Sequence, residues 1–521
     1  MTGKTERVPE GDNEPRNIRE LLERRAAAAP DKHFLFSEAD GRAYTYAEFD
    51  RAVNRAARLL LSTGIGKGDA VSLLMPNGAE YIIGYFACFK IGALAGPVNS
   101  LLKAEEIAYV INNSEAKALL VNSEFLQRIE AIRNELPRLR HVVVFDDESA
   151  ATAAFSGTDL PGVEIEKDDE AIIIYTSGTT GKPKGCLLTH GNVVANARQI
   201  TRWLGFTERD CLLTIMPLFH MNAVSVTTMT PLYAGASTVI SPKFSASRFW
   251  QIISDYRVTS FGSVATMLSM LLSTYSDGVP DGLKTDQLRF AMCGSAPVPA
   301  EVMRRFEETF NCLVIEGYGL SESTCRSTFN PPDKRRRPGS CGMAIGNEMK
   351  VFDDDDREVA DGELGEIVLR GENILKGYYK NREATEQAFR GGWFHTGDIG
   401  YRDTDGFFYI VDRKSDMIIR GGENIYPREI DEVLYSHPAV AAAATIGVPD
   451  TLYGEEVAAF IVLKEGAQAT EDEMIAFCRE HLADYKCPKS VRFVADIPKG
   501  PTGKLLKREL AQQYRQASSQ P

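Results

Sequence analysis

Residues 175–185 read YTSGTTGKPKG, and the apolar residues Ala171, Ile172, Ile173 and Ile174 lead into them. A short apolar, β-branched run of this kind predicts a buried strand. Glycines and hydroxyls directly after a strand let backbone N–H groups converge on an anion, because glycine permits the backbone angles required. Lys182 and Lys184 add positive charge. The Walker pattern requires four residues between its first glycine and the Gly-Lys pair, then a Ser or Thr. Here only Thr179 and Thr180 separate Gly178 from Gly181, and Pro183 follows Lys182. Cys186, Leu187 and Leu188 resume a strand pattern, so no helix N-terminus is aimed at the anion. The expectation is a phosphate-holding flap between two strands.

The flanking sequence predicts an α/β protein. Thr45 followed by Glu48 makes a capping box, and Phe49, Val53, Ala57 and Leu60 then share a helical face until Gly64. Residues 70–75 form a buried-strand pattern closed by Pro76-Asn77-Gly78, and a helix begins near Glu80 and leads to Gly92. Strands alternating with helices imply layered packing with largely parallel sheets. After Asp353 the character changes: VFDDDDREVADGELGEIVLRG (351–371) reads as two strands joined by a solvated acidic turn. We expect a large N-terminal domain, 1–414, of layered αβ sheets with a small β-barrel-like subdomain. A small mobile α+β domain, 415–521, should follow.

The 521 residues exceed a single compact core. A net charge of -13 argues against nonspecific nucleic-acid or anionic-membrane binding. The nine cysteines include no CxxC pair and read as reduced thiols of a cytoplasmic protein. The polar N-terminus is no signal peptide, and the apolar region 71–98 is interrupted by Pro76, Asn77, Glu80 and Lys90, so no membrane span is expected.

The loop closely resembles the phosphate-loop signature of the adenylate-forming superfamily, which includes acyl-CoA synthetases, peptide-synthetase adenylation domains and firefly-type luciferases. MPLFH (216–220), GSAPV (294–298), EGYGLSES (316–323), GWFHTGD (392–398), VDRKSDMIIRGGENIYP (411–427) and PKGPTGK (498–504) match in the family's order. The resemblance covers almost the whole chain. It implies that a carboxylate and ATP give an acyl-adenylate and pyrophosphate, after which a thiol displaces AMP. Alternatives within the superfamily are loading of a carrier-protein thiol and a luciferase-like oxygenase.

On that resemblance Thr176, Ser177, Gly178, Thr179, Thr180 and Lys184 hold the β- and γ-phosphates, and Glu322 is the Mg²⁺ ligand. Gly294, Ser295, Ala296, Glu316, Gly317, Tyr318 and Gly319 wall the adenine, with Ser321 where threonine is commonest. Asp398 binds the ribose, and Arg413 makes a second ribose or phosphate contact. Lys504 is the catalytic lysine, reaching the carboxylate and the α-phosphate. The C-terminal domain rotates between steps about Ser415, a looser match because Asp or Lys is commoner there. Rotation presents Gly421, Gly422 and Glu423 to the thiol. A lone histidine is by default a core residue; the family places an aromatic or histidine at the position of His220 as a gate, which favours that role. His190 and His395 are read as structural.

Peptide-synthetase domains hold an amino group with an aspartate after the gate. Here Asn222 stands in FHMNAVSVTTMTPLY, so an amino-acid substrate is disfavoured. His220, Asn222, Val226, Ser263, Val264 and Gly319 are the acyl-pocket candidates, suggesting a neutral, roomy pocket. FSASRFW, PPDKRRRPGS and IVDRKSDMIIRGGEN look most like crotonobetaine/carnitine–CoA ligases and medium-chain acyl-CoA ligases. Lys334, Arg335, Arg336 and Arg337 are expected to be a solvated loop. The expected partners are ATP, Mg²⁺, CoA and a small carboxylic acid, with homodimerisation left open.

Overall fold

The computed structural model describes residues 14–155, 160, 162–176, 182–294, 298–499 and 505–518. The chain forms two compact units, 1–243 with 372–382, and 244–371 with 383–521.

In the first unit, the apolar runs that lack alternation become strands covered on both faces. Glu170–Thr176, Leu94–Pro97, Ala70–Leu74, Ala118–Val121 and His141–Val144 lie side by side in that order, all parallel. Lys184–Thr189 pairs antiparallel with Glu170–Thr176, and Gly377–Tyr378 adds antiparallel to it. Thr176 faces Lys184 at the end of this hairpin, as the strand–loop–strand reading requires. A second layer places Ala43–Thr45, His33–Ser37, Ser237–Ile240 and Cys211–Thr214 in that order. Helix Tyr46–Ser62 starts with the Thr45/Glu48 capping box, and helix Ala79–Ile91, buried all round, follows the strand at Ala70–Leu74.

In the second unit, Ser260–Ser263, Phe290–Cys293 and Leu313–Glu316 run parallel. Their register aligns Ser263 with Cys293 and Cys293 with Glu316, so the three chains leave the sheet together at their carboxyl ends. An antiparallel sheet follows, Glu348–Phe352, Gly365–Arg370, Phe394–Arg402 and Phe408–Arg413. A Gly342–Phe408 bridge ties it to the ladder Thr328–Phe329 with Met343–Ala344. The C-terminal α+β part orders Glu423–Ile425, Ile418–Arg420, Gly454–Leu463 and Val440–Asp450, with Ser490–Phe493 parallel to Gly454–Leu463. Helices Pro427–Ser436 and Glu471–His481 pack on it over a core of Ile418, Ile430, Leu434, Val457 and Met474.

The acidic turn is mostly solvated, as expected: the Asp354 side chain is 91% exposed while it pairs with Lys414, and Asp356 pairs with Arg390. In the basic cluster Lys334 and Arg335 are exposed, as expected, with Arg335 pairing only with the nearby Asp333. Arg336 and Arg337 are instead knit into the fold, because carboxylates distant in sequence come to them: Arg336 pairs with Glu307, and Arg337 with Asp403 and Asp405. Among the described residues no helix is long and apolar enough to cross a membrane.

Candidate active site

The carboxyl ends of parallel strands are where α/β proteins bind ligands, because the connections there diverge and leave backbone groups unpaired by the sheet. Gly294 and Gly317 are the first residues past two of the aligned strand ends. A Cβ on Gly317 would lie 2.6 Å from the Thr328 carbonyl oxygen, and one on Gly319 only 1.9 Å from that of Cys325. The turn after Glu316 is therefore pressed against the chain at 325–329, and only glycine fits. Thr324, a β-branched residue, is held at φ +64, a strained conformation of the sort that concentrates at functional sites. Glu322 and Ser321 sit on the single turn Ser321–Ser323 just before it.

Tyr318 and Arg413 converge on Asp398. The tyrosine O–H donates to Asp398 Oδ2 at 2.5 Å, and Arg413 Nε lies 3.0 Å from Oδ1. The strand register supplies the second contact, since Asp398 faces Arg413 across the antiparallel pair. Asp398 is 3% exposed. The Asp398 charge holds Arg413 more basic than usual, and burial beside that charge pushes the Tyr318 phenol well up, keeping it a donor. Burial pushes Glu316 up to about 7; the Gly339 N–H, donating at 3.0 Å, opposes this only in part. Glu316 is thus a brace for the 339 turn.

Ser415 donates to Asp416 at 3.1 Å, and the chain on either side is held by Lys414 N–H to Gly397 and Asp416 N–H to Arg413. Gly421 and Gly422 form the two-residue connection of a hairpin, both at positive φ (60 and 92), as a type I′ turn needs. Glu423 is exposed beside them.

In the first unit, the feet of the 175–185 hairpin are anchored. Tyr175 O–H donates to Asn113 at 2.8 Å, Tyr109 O–H donates to the Pro183 carbonyl at 3.0 Å, and Lys184 Nζ lies 5.2 Å from the Tyr378 ring centre. His220, Asn222 and Val226 follow the strand Cys211–Thr214; Asn222–Met229 is a π-helix, a form that gathers at functional sites. Burial pushes the His220 imidazole down to about 4, so it is neutral at physiological pH. His190 is fully buried, accepts from the Ile18 N–H and is likewise pushed to about 4, as a core histidine should be.

Ser177, Gly178, Thr179, Thr180, Ser295, Ala296 and Lys504 lie outside the described residues. The chain flanking Lys504 is tied down: Lys499 bridges to Leu505, and Lys507 forms a buried pair with Asp431 at 2.9 Å. Sequence reasoning missed Arg326, fully buried against Gly294, whose lone charge in STCRSTFN was the available signal. It also missed Arg428, which joins the chain before and after Ser415 through Asp412 and the Ile410 carbonyl.

Strand ends that open beside a buried carboxylate held by a tyrosine and an arginine fit a ligand-binding enzyme of the α/β class. Residues 22–379 match the AMP-binding enzyme family, and residues 429–504 match the AMP-binding enzyme C-terminal domain. The sulfoacetate–CoA ligase of Cupriavidus necator is 38% identical, covering 94% of this chain and 96% of its own. The crotonobetaine/carnitine–CoA ligase of Salmonella paratyphi A is 33% identical over 95% and 98%. The crystal structure of an anthranilate CoA ligase in complex with anthranoyl-AMP has a TM-score of 0.89 at 31% identity, covering 96% of this chain and 98% of the other. The chain belongs to the AMP-binding enzyme family. Its activity is ATP-dependent ligation of a carboxylic acid to CoA, that of an acyl-CoA synthetase.

Proposed function

We propose that the nucleotide is held by its ribose on Asp398 and Arg413, and that residues 1–414 and 415–521 act as two domains that reorient between the half-reactions. A carboxylate oxygen of the acid attacks the α-phosphorus, the bond to the β-phosphate breaks, and pyrophosphate leaves. The CoA sulfur then attacks the acyl carbon and AMP departs. Carboxylate and triphosphate repel each other, so the first step needs fixed donors and cations. Thr176, Ser177, Gly178, Thr179, Thr180 and Lys184 take the β- and γ-phosphates, and Lys504 neutralises the attacking acid. Gly294, Ser295, Ala296, Glu316, Gly317, Tyr318, Gly319 and Ser321 frame the base. Ser415 is the hinge, and Gly421, Gly422 and Glu423 serve the thiol step. His220 gates the acyl group.

Mg²⁺ is assigned to Glu322. Among the described residues no cluster of three or more His, Cys, Asp or Glu could cage a metal. That suits an ion which binds one carboxylate and takes its other ligands from phosphate and water. When bound, it supplies charge neutralisation on the phosphate oxygens. None of the nine cysteines forms a disulfide, which supports a cytoplasmic setting.

The observation that carries the reading is the buried Asp398 carboxylate, gripped by Tyr318 and Arg413. The relatives' acids differ, so the acid is not inherited from them. Pyrophosphate release across a panel of carboxylic acids, with and without CoA, tests the function. Release that CoA does not convert into thioester would sink the ligase reading, and light emission or oxygen uptake would replace it with an oxygenase.

A further inference from the structure

Asn222 is 5% exposed, and neither its carboxamide oxygen nor its nitrogen has a hydrogen-bond partner. Two residues before it, the buried Nε2 of His220 also has none. Other buried asparagines among the described residues with an unpartnered atom, Asn54, Asn347 and Asn373, leave only the oxygen so. The neighbouring polar side chains of the π-helix are satisfied. Ser225 donates to Asn196 at 2.9 Å, Thr227 and Thr228 to the Ala223 carbonyl, and Thr230 to the Ser225 carbonyl at 2.9 Å. The chain before Asn222 is also pinned. Asn77 bonds both the Met216 carbonyl and the Leu218 N–H, and Tyr85 O–H donates to the Leu218 carbonyl at 2.8 Å. Residues 216–220 are thus held in place by bonds that involve neither the His220 nor the Asn222 side chain.

A buried amide left unpaired on both atoms is destabilising, and in a native protein it calls for an explanation. No side chain in 216–229 is charged, so this segment offers no counter-ion. The donor and acceptor are neutral: a carboxamide and, because burial depresses its basicity, an uncharged imidazole. We propose that Asn222 and His220 read a second, uncharged hydrogen-bonding group on the acid, a hydroxyl or a carbonyl, so that the substrate is a hydroxy- or oxo-substituted carboxylic acid rather than a plain hydrocarbon one. Asn222 is then a specificity-determining residue. The inference rests on the ligase reading above. It adds a defined polar point to the neutral, roomy acyl pocket expected from sequence.

The test measures kcat/KM for pyrophosphate release in the full-length wild type and Asn222→Leu, which keeps the volume and removes both polar atoms. Hexanoate is compared with hydroxypentanoates and oxopentanoates matched in heavy-atom count, and with succinate as the charged control. Cyclohexanecarboxylate is compared with its hydroxy and oxo derivatives. The wild type is expected to favour a hydroxy or oxo member by at least ~10-fold, since an apolar analogue leaves the amide unpaired. Succinate should be no better than hexanoate. Asn222→Leu should abolish the preference while its melting temperature rises or holds. A wild-type preference for the apolar members, or none, overturns the proposal. So does a drop of several degrees in melting temperature in Asn222→Leu, which would make the asparagine structural. An equal loss for both members overturns it too, since Asn222 would then serve the reacting carboxylate. If no acid yields pyrophosphate, the ligase reading falls and takes this inference with it.

Discussion

Asp398→Asn changes one buried group and leaves its volume intact. Asp398 Oδ1 lies 3.0 Å from Arg413 Nε, and Oδ2 accepts from Tyr318 at 2.5 Å. Asparagine keeps one acceptor oxygen and loses the charge. Losing one member of a fully buried pair costs about 3–5 kcal/mol. The Arg413 side chain is 37% exposed, so water can re-solvate it, and we expect a stability loss of only about 1–2 kcal/mol. The functional effect should be larger than that on folding. A hydrogen bond to a charged acceptor is worth about 1.5–3 kcal/mol, and a ribose offers two hydroxyls. Losing the equivalent of one such bond weakens AMP about 10- to 100-fold. Titration calorimetry with AMP measures this directly, ATP–pyrophosphate exchange should fall in parallel, and a thermal melt verifies that the variant is folded. A folded Asp398→Asn protein that binds AMP within about threefold of wild type would refute the ribose assignment.

Four further outcomes can be measured. Lys504→Ala should lower adenylation by at least ~100-fold while thioester formation from preformed acyl-adenylate survives; equal losses in both half-reactions would remove Lys504 from its role. Ser415→Pro fixes φ at the proposed hinge and should impair the thiol step more than adenylation, read by assaying the half-reactions separately. Burial holds Glu316 at about 7, above its ordinary 4.5, so the folded state binds the extra proton between those values and loses stability as pH rises. Glu316→Gln should therefore gain about 1–3 kcal/mol over wild type at pH 8 and little at pH 5, measured by denaturant unfolding. His220 has the opposite sign: pushed from 6.5 to about 4, it is protonated in the unfolded chain first, so stability falls as pH drops through that window. His220→Phe should flatten its share of that slope, and an unchanged acid dependence would contradict the burial argument.

The sequence by itself determined what is local. The capping box at Thr45 and Glu48, the hairpin of Glu170–Thr176 with Lys184–Thr189, and the glycine turn after Glu316 are written in neighbouring residues. Hydrophobic period and turn chemistry act over a few positions, so they can be read without knowing the fold. The family motifs extended that reading to named roles for Asp398, Arg413 and Lys504. Tertiary structure alone decided which of these groups meet. Tyr318 reaches Asp398 across eighty positions because the aligned strand ends and the antiparallel sheet bring them together. Arg326 lies against Gly294, and the basic cluster finds carboxylates far along the chain. The unpartnered amide of Asn222 is likewise invisible in sequence, where the residue reads as a missing aspartate and a candidate for the acyl pocket. Whether a polar group is satisfied depends on every neighbour that packing brings to it, and those neighbours are set by sheet order and register rather than by proximity in the chain.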